Sequence, residues 1–397
     1  MMLSVRQMFS AISLLFVALT KEAYVSSRYA PHINCTVNEP INFKRATHCH
    51  CFCKNDVQHS FITLAKRLYL QNGFAIMPGM VVSPWNSSER IVFSQPGHQS
   101  SRTVSYESLQ AVDYTATNGQ SSTSVKGSFS LIGQCLDFRI FQFNSSYFMF
   151  FYQQNRARKW MAMSEFEFSM DGSNRSIDSI RGSEVSLFLA KQNAVEKNWG
   201  AFTYTPSDNM FVPHKVSYPL PPDQPQLLVE YSVDPHRIYF KPSSSLHQKR
   251  PVYLHNVACT KLTSNNILFF KPSHMRSGTP AVLLKKQNIY LSFFHVSERF
   301  NANEVEGGNM LLTYVMGAHT FAAEPPFALQ HVSPEPIQAK KFFVGSFAYR
   351  KLNYQIYPSS FTVDEHEDKV VLSVHRNDRE SWVVEMILSK LLESLHP

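Results

Sequence analysis

Short apolar segments bounded by turn residues recur along most of this chain, and helical periodicity is almost absent. Nine of these segments have the length and composition of β-strands. They lie around Arg90–Phe93, Phe138–Phe143, Tyr147–Tyr152, Val185–Ala190, Leu227–Ser232, Arg237–Phe240, Ile289–Val296, Met310–Met316 and Val370–Val374. Only Met386 to Leu395 spaces its apolar residues as an amphipathic helix does. Strands without intervening helices predict an all-β fold, which could be an antiparallel sandwich, a barrel or a propeller.

The segment from Gly133 to Tyr152 predicts a β-hairpin. Apolar residues alternate or run continuously on both sides of the cluster Asn144 to Ser146. Asn and Ser are turn-forming residues, so two buried strands should flank a tight connection.

Asp137 and Arg139 stand two residues apart at the start of the first strand of this hairpin. Regular alternation would place these two side chains on one face of the strand and Leu136, Phe138 and Ile140 on the other. An acid beside a guanidinium could be a proton donor next to an oxyanion clamp, or a buried ion pair that ties the strand end.

Chain length and a weak internal repeat favour a propeller. The 397 residues, with 31 Phe and 17 Tyr, are typical of a globular, β-rich chain of one large or two medium domains. Asp234 to Ile238 echoes Asp137 to Ile140 about a hundred residues later. Hairpins of this size, joined by Gly, Asn, Pro and Ser, favour radial repetition over two stacked sheets. A sandwich is the alternative, since 14 Gly are few for a propeller.

The N-terminus predicts entry into the secretory pathway. Residues 8–19 form an apolar run after Arg6, too short to cross a bilayer of about 30 Å. The run predicts a signal peptide within residues 1–23, or a short uncleaved signal-anchor because no clear cleavage site follows. Four glycosylation sequons agree with this location: Asn34, Asn86, Asn144 and Asn174. We therefore expect a protein that is secreted or lies in the ER or Golgi lumen.

Residues 24–60 are polar and cysteine-rich, which predicts an N-terminal extension before a propeller domain at 61–397. The six cysteines are Cys35, Cys49, Cys51, Cys53, Cys135 and Cys259. The run His48 to Cys53 contains the thiolate and imidazole groups that bind zinc. An oxidising lumen favours disulfides instead, in a pairing that spacing cannot choose. The expectation is therefore disulfides, with no metal site and no cofactor.

Charge excludes one class of partner. The net charge is +8 and the pI about 9.1, but Lys and Arg are spread along the chain. The chain has no basic arm and no aromatic-basic recognition motif, so nucleic acid is not an expected partner. A diffuse positive field favours an anionic small molecule, such as phosphate or a sugar nucleotide.

The cluster Glu196 to Phe202 carries groups that bind sugars and phosphates. Lys197 would bind phosphate as a point charge, and Asn198 would bond sugar hydroxyls. Trp199 would either stack on a pyranose face or fill the core.

Two later clusters have turn and strand-end patterns. Ser277 to Ala281 precedes a strand that ends at His295, where Gly278 would let a ligand approach closely and the imidazole would donate to an anion. Tyr314 to Phe321 leads into the proline-rich stretch Glu324 to Ile337, a pattern typical of a loop between blades.

Taken in order, these clusters resemble glycoside hydrolase family 130, the β-mannoside phosphorylases, together with similar eukaryotic glycosyltransferase-like proteins. The motifs that carry the resemblance are Asp137-x-Arg139-Ile-Phe before a hairpin, Lys197-Asn198-Trp199-x-x-Phe202, Gly278-Thr-Pro-Ala before a strand ending in His295, and Gly317-Ala318 followed by Pro-Pro-Phe and Pro-Glu-Pro-Ile. The resemblance covers roughly residues 130 to 395. It implies a five-bladed β-propeller, with the short C-terminal helix at its end.

The resemblance also implies roles for individual residues. In that family the Asp of a Glu-Asp-Pro-Arg motif is the general acid, and phosphate attacks the anomeric carbon with inversion. Asp137 would be this acid. Contacts to sugar or phosphate would come from six residues: Arg139, Lys197, Asn198, Trp199, His295 and Asp378, the last matching the acid that follows the final-blade strand.

Leu136 and Phe138 stand where the family has Glu and Pro. Loss of that second carboxylate disfavours a hydrolase that needs two. The expectation is transfer or phosphorolysis of a mannose-type glycosidic bond, with carbohydrate as partner and phosphate or a sugar nucleotide as co-substrate. The alternative is a propeller that binds glycans without catalysis. A membrane would be a partner only through an uncleaved N-terminal anchor.

Overall fold

The computed structural model describes residues 58–68, 75–84, 89–96, 103–110, 126–131, 136–154, 158–171, 174–179, 185–189, 198–206, 220, 224–241, 252–260, 275–301, 310–339, 342, 355–377 and 380–397. Within these ranges, 23 strands form five separate sheets, and one helix, α1 (Leu388–Glu393), follows the last strand. Each sheet is one blade of a five-bladed β-propeller, as predicted from the sequence.

The first strand, β1 (Ile62–Leu68), does not belong to the first blade. Blade one pairs four strands in chain order: β2 (Ala75–Val82), β3 (Glu89–Pro96), β4 (Thr103–Gln110) and β5 (Lys126–Ser130). Blade two contains β6 (Leu136–Phe143), β7 (Ser146–Gln154), β8 (Lys159–Asp171), β9 (Asn174–Ser179), β10 (Val185–Phe188) and β14 (Val252–Tyr253). The short β14 comes from later in the chain and runs parallel to β10, so it extends the outer edge of blade two.

The other three blades also begin with an inner strand and proceed outwards. Blade three pairs β11 (Gly200–Tyr204), β12 (Gln226–Ser232), β13 (His236–Lys241) and β15 (His255–Thr260). Blade four contains β16 (Met275–Ser277), β17 (Val282–Leu284), β18 (Ile289–Asn301), β19 (Met310–Ala322) and β20 (Leu329–Val332). Blade five contains β21 (Ile356–Asp364), β22 (Lys369–Arg376) and β23 (Glu380–Ile387).

Strand β1 closes the ring. It pairs antiparallel with β23, so the fourth strand of blade five comes from the other end of the described chain. Ala65 lies opposite Val384, and the Ile387 N–H donates to the Phe61 carbonyl at 2.8 Å. Helix α1 then packs Leu388 and Leu391 into the core between blades four and five.

Five apolar cores lie between neighbouring blades, one at each interface. Alternation along each strand explains them, because successive side chains point to opposite faces of a blade. Both faces of a blade are therefore covered, and this explains why strands such as β7 have continuous apolar runs.

A β-bulge interrupts the predicted alternation of side chains at the start of β6. The register against β7 shifts between Leu136 and Arg139, and Asp137 has a positive φ of 48°. As a result Leu136 packs in the core between blades two and three, whereas Phe138 and Ile140 pack in the core between blades one and two. The prediction that these three residues share a face is wrong, because the extra residue of a bulge reverses the alternation beyond it.

The two segments of the weak internal repeat occupy different positions in their blades. Asp137 to Ile140 lies in the first strand of blade two, whereas Asp234 to Ile238 forms the turn into β13, the third strand of blade three. The two segments are not structurally equivalent. The predicted helix from Met386 is shorter than expected, since β23 continues to Ile387.

Several predictions concern residues outside the described ranges. These are the signal sequence, the extension 24–60 and the cysteines other than Cys259, which lies exposed in β15. No helix in the described part of the chain combines the length and apolar character needed to cross a membrane.

Candidate functional site

Arg139 is a buried cation held by groups from several blades. Its Nε donates to the Gly278 carbonyl of blade four at 2.8 Å, and its Nη1 donates to the backbone carbonyl of Asp137 at 2.7 Å. Its Nη2 lies 3.4 Å from Oδ1 of Asn198, which leads into blade three. The ring of Tyr357 from blade five lies 5.3 Å from its Cζ. The guanidinium, only 1% exposed, therefore links four blades at the propeller axis.

Burial makes this charge costly to hold. Removal from water lowers the pKa of Arg139 from 12.5 to about 10, while the negative charge of Asp137 acts in the opposite direction. Arg139 is still a cation at neutral pH. A fixed positive charge thus lies beside Asp137.

Asn198 joins the blades around this cation. Its Oδ1 accepts the Tyr357 hydroxyl at 2.9 Å as well as Arg139 Nη2, and its Nδ2 donates to Nε2 of His295 at 3.3 Å. Because an amide nitrogen only donates, Nε2 of His295 carries no proton in this arrangement. Asn198 has a φ of 65°, a conformation that Asn tolerates better than most residues.

Aromatic rings form one side of the site. The buried ring of His295 lies 4.4 Å from that of Tyr357 and 5.9 Å from that of Tyr314, between ring centroids. Both tyrosines are only half-buried, and a bridge between Tyr314 and Gln355 joins β19 to the start of blade five. Two partly exposed aromatic faces therefore lie beside the buried polar network.

Asp137 is half-buried, in contrast to Arg139. It stands at the β6 bulge, and its backbone carbonyl is held by the guanidinium. The structure therefore brings together Asp137, Arg139, Asn198 and His295 of the predicted residues. We call these four residues and Tyr357 the central site.

Gly278 permits a close approach, but of protein and not of a ligand. A Cβ at this position would lie 2.6 Å from Cγ of Pro358 and 2.8 Å from the Phe293 carbonyl. The segment after Gly278 separates β16 from β17, and the Gly278 N–H donates to the Phe293 carbonyl. The glycine thus lets blades four and five meet where its carbonyl receives Arg139 Nε.

Other predicted site residues lie elsewhere. Trp199 is completely buried and its ring packs against Tyr231 in the core between blades two and three, so it offers no face to a ligand. Lys197 and Asp378 lie outside the described residues.

Two of the four sequons fall in described segments. Asn144 is exposed in the turn between β6 and β7, and Asn174 is the first residue of β9. Asn34 and Asn86 lie outside the described residues.

A cavity of about 570 Å³ lies further along the inner strands of the blades. Its lining comes from all five blades, and it includes Ile140, Ala201 and Phe361. Each of these follows a central-site residue in the same blade by one to four positions. The cavity therefore lies on the far side of Arg139 from Asp137.

Sequence reasoning missed the two tyrosines. Tyr357 and Asn198 are 159 residues apart, and no spacing rule connects them. Tyr314 lies in the predicted strand Met310–Met316, which β19 confirms, but the pattern around it indicates no role in the site.

No protein-family model matches the chain, and no curated protein matches its sequence. Solved structures similar to it include a glycosyl hydrolase from Bacteroides ovatus, at 13% identity over 83% of this chain and 92% of that chain, with a TM-score of 0.49. A β-1,2-mannobiose phosphorylase from Listeria innocua is 13% identical over 85% and 93%, with a TM-score of 0.41. A mannose phosphorylase from Leishmania mexicana, with bound phosphate, is 10% identical over 82% and 88%, with a TM-score of 0.45.

Proposed function

We propose that this chain is a carbohydrate-active protein of the secretory pathway that transfers or phosphorolyses a mannose-type glycosidic bond, with Asp137 as general acid. The observation that carries the proposal is the convergence of Asp137, Arg139, Asn198, His295 and Tyr357 at the propeller axis. The motifs containing the first four are far apart in the chain and follow the order seen in β-mannoside phosphorylases.

The chemistry requires a carboxylic acid at a fixed position beside the leaving oxygen. Asp137 is accessible to a ligand, and the bond from Arg139 to its carbonyl restrains the backbone that carries it. The proton of the acid passes to the glycosidic oxygen as the bond from that oxygen to the anomeric carbon breaks. A phosphate or acceptor oxygen forms the new bond from the opposite face.

Arg139 acts on this reaction through Asp137. Its hydrogen bonds go to protein acceptors and it is buried, so it positions the backbone of the acid and supplies positive charge beside it. The exposed parts of Tyr314 and Tyr357 are suited to the apolar face of a pyranose ring. Lys197 and Asp378 are further proposed contacts to phosphate or sugar.

The second candidate is glycan binding without catalysis. Leu136 and Phe138 favour it, because both are buried apolar residues where a second carboxylate and a proline would flank the acid. Such a protein would keep the tyrosines and Asn198 for binding a sugar, and it would have no turnover.

Turnover by the full chain tests the proposal. Purified protein is incubated with β-mannosides and inorganic phosphate, and sugar 1-phosphate is measured; transfer from sugar nucleotides is measured separately. We expect Asp137→Asn to lower the rate about 10²–10⁴-fold, the usual contribution of a general acid. Asp178→Asn, the same change at an exposed position of β9, should have the wild-type rate.

The results separate the two candidates. Glycan binding that persists in Asp137→Asn, with no turnover by the wild type, would support the second candidate. Equal rates for Asp137→Asn and the wild type would exclude Asp137 as the acid.

A further inference from the structure

Glu230, His236 and His319 form a second polar cluster between blades three and four. Nε2 of His236 lies 2.9 Å from Oε1 of Glu230, and Nε2 of His319 lies 2.7 Å from the same oxygen. The three residues come from β12, β13 and β19, and each is completely buried. One potential ligand atom from each lies within 4.8 Å of the other two.

This cluster has an unsatisfied carboxylate oxygen. Oε2 of Glu230 is buried, and no hydrogen-bond donor among the described residues reaches it. A Cβ on Gly200 would lie 3.4 Å from it, so this oxygen faces the backbone of β11. A buried charge is costly unless it is paired or bound to a metal, and Oε2 has no hydrogen-bond donor in the described part of the chain.

A hydrogen bond at Nδ1 fixes the orientation of the His236 ring. Nδ1 lies 2.7 Å from the Phe327 carbonyl, which can only accept, so Nδ1 carries a proton and donates it. In the neutral ring Nε2 then presents a lone pair to Glu230. A lone pair facing a carboxylate oxygen needs a proton or a cation between them. A histidine whose second nitrogen donates to a backbone carbonyl is the usual arrangement of a metal ligand.

We propose that Glu230, His236 and His319 bind one zinc ion between blades three and four. Two imidazole nitrogens and a carboxylate are donors that zinc prefers, and both Glu230 oxygens together would complete four ligand atoms. An imidazole nitrogen and Oε1, each bound at about 2.0–2.1 Å to a tetrahedral ion, are about 3.3 Å apart, so each nitrogen must withdraw from Oε1 by about half an ångström.

Complete burial assigns this ion a structural role. It would tie β12 and β13 of blade three to β19 of blade four. Gly200 lies against Glu230 Oε2 and follows Asn198 by two residues. The ion would therefore also steady the segment that delivers Asn198 to the central site.

Metal content measured on the full chain tests this site. Protein purified without a polyhistidine tag is incubated with Zn²⁺, dialysed against metal-free buffer and analysed by plasma mass spectrometry. We expect Glu230→Gln and His319→Gln to contain about one zinc ion fewer per chain than the wild type. His366→Ala, which removes an exposed histidine in the turn after β21, should contain as much as the wild type.

Two further readouts keep the test independent of folding defects and of the cysteine-rich segment. A chelator should lower the melting temperature of the wild type and leave that of Glu230→Gln unchanged. Co²⁺ in place of Zn²⁺ should give visible absorption bands that Glu230→Gln lacks.

Zinc that persists equally in both variants would lie at another site, such as His48 to Cys53, and would overturn the proposal. Wild-type protein without zinc, and with a melting temperature insensitive to chelator, would also overturn it. The cluster would then be a hydrogen-bonded group of Glu230 and the two histidines. Neither result bears on Asp137, so this proposal and the proposed function fail separately.

Discussion

At the scale of single residues, the central site depends most on Arg139. Arg139→Met would remove the donor to two backbone carbonyls and to Asn198 while keeping an apolar side chain of similar length. Buried acceptors without donors cost about 1–3 kcal/mol each, so we expect the free energy of unfolding to fall by about 3–5 kcal/mol. Arg139→Lys should keep the charge but lose the planar arrangement of donors, so its free energy of unfolding should lie between those of the wild type and Arg139→Met. Urea unfolding measures all three proteins, and a Met variant as stable as the wild type would contradict this role.

Lys241 should make the free energy of unfolding depend on pH. Lys241 ends β13, and burial lowers its pKa from 10.5 to about 8. Between these values the unfolded chain binds a proton that the folded chain does not, so stability rises with pH in this window. Below pH 8 the folded protein carries the full cost of the buried charge.

Lys241→Met removes this titration. From pH 7.5 to 10, the unfolding free energy of the wild type should therefore rise by about 2–3 kcal/mol relative to the variant, since each pKa unit corresponds to about 1.4 kcal/mol. Chemical unfolding at several pH values measures the difference. A difference that is constant across this range would show that Lys241 titrates normally.

At the scale of elements, the contact between blades three and four is set by Gly200 in β11. A Cβ there would clash with Oγ of Ser277 and would lie 2.6 Å from the Thr279 carbonyl. The second neighbour is backbone, so Gly200→Ala must move one blade relative to the other. We expect a loss of about 1–3 kcal/mol of stability, typical of overpacking. Gln142→Ala, at an exposed position of another inner strand, should stay within about 0.5 kcal/mol of the wild type.

Sequence patterns predicted elements better than they predicted the central site. The hairpin of β6 and β7 follows from local alternation and a turn at Asn144, which the strand and turn bounds confirm. The bulge at Asp137 depends on pairing with β7, and no local pattern in β6 shows it. Tyr357 reaches the site only because the inner strand of blade five lies across the propeller axis from that of blade two, a relation that no spacing in the sequence records.

At the scale of the whole molecule, the ring depends on β1. Without it, β23 would be an open edge, and Phe61 and Ile62 would leave the core between blades four and five. A chain that lacks residues up to 68 should therefore lose cooperative unfolding or aggregate. A synthetic peptide of residues 58–68 should restore folding when added, whereas the same peptide with Ile62→Asp should not. Folding of the shortened chain without any peptide, followed by circular dichroism and thermal unfolding, would contradict this account of ring closure.

We expect a sugar to bind beside Asp137 at the propeller axis. Crystals of the full chain soaked with mannose and phosphate test it most directly. We expect a pyranose ring against Tyr314 and Tyr357, with an oxygen within about 2.6–3.2 Å of the Asp137 carboxyl group. Sugar that binds only in the cavity of about 570 Å³ on the far side of Arg139, or nowhere at the axis, would contradict it.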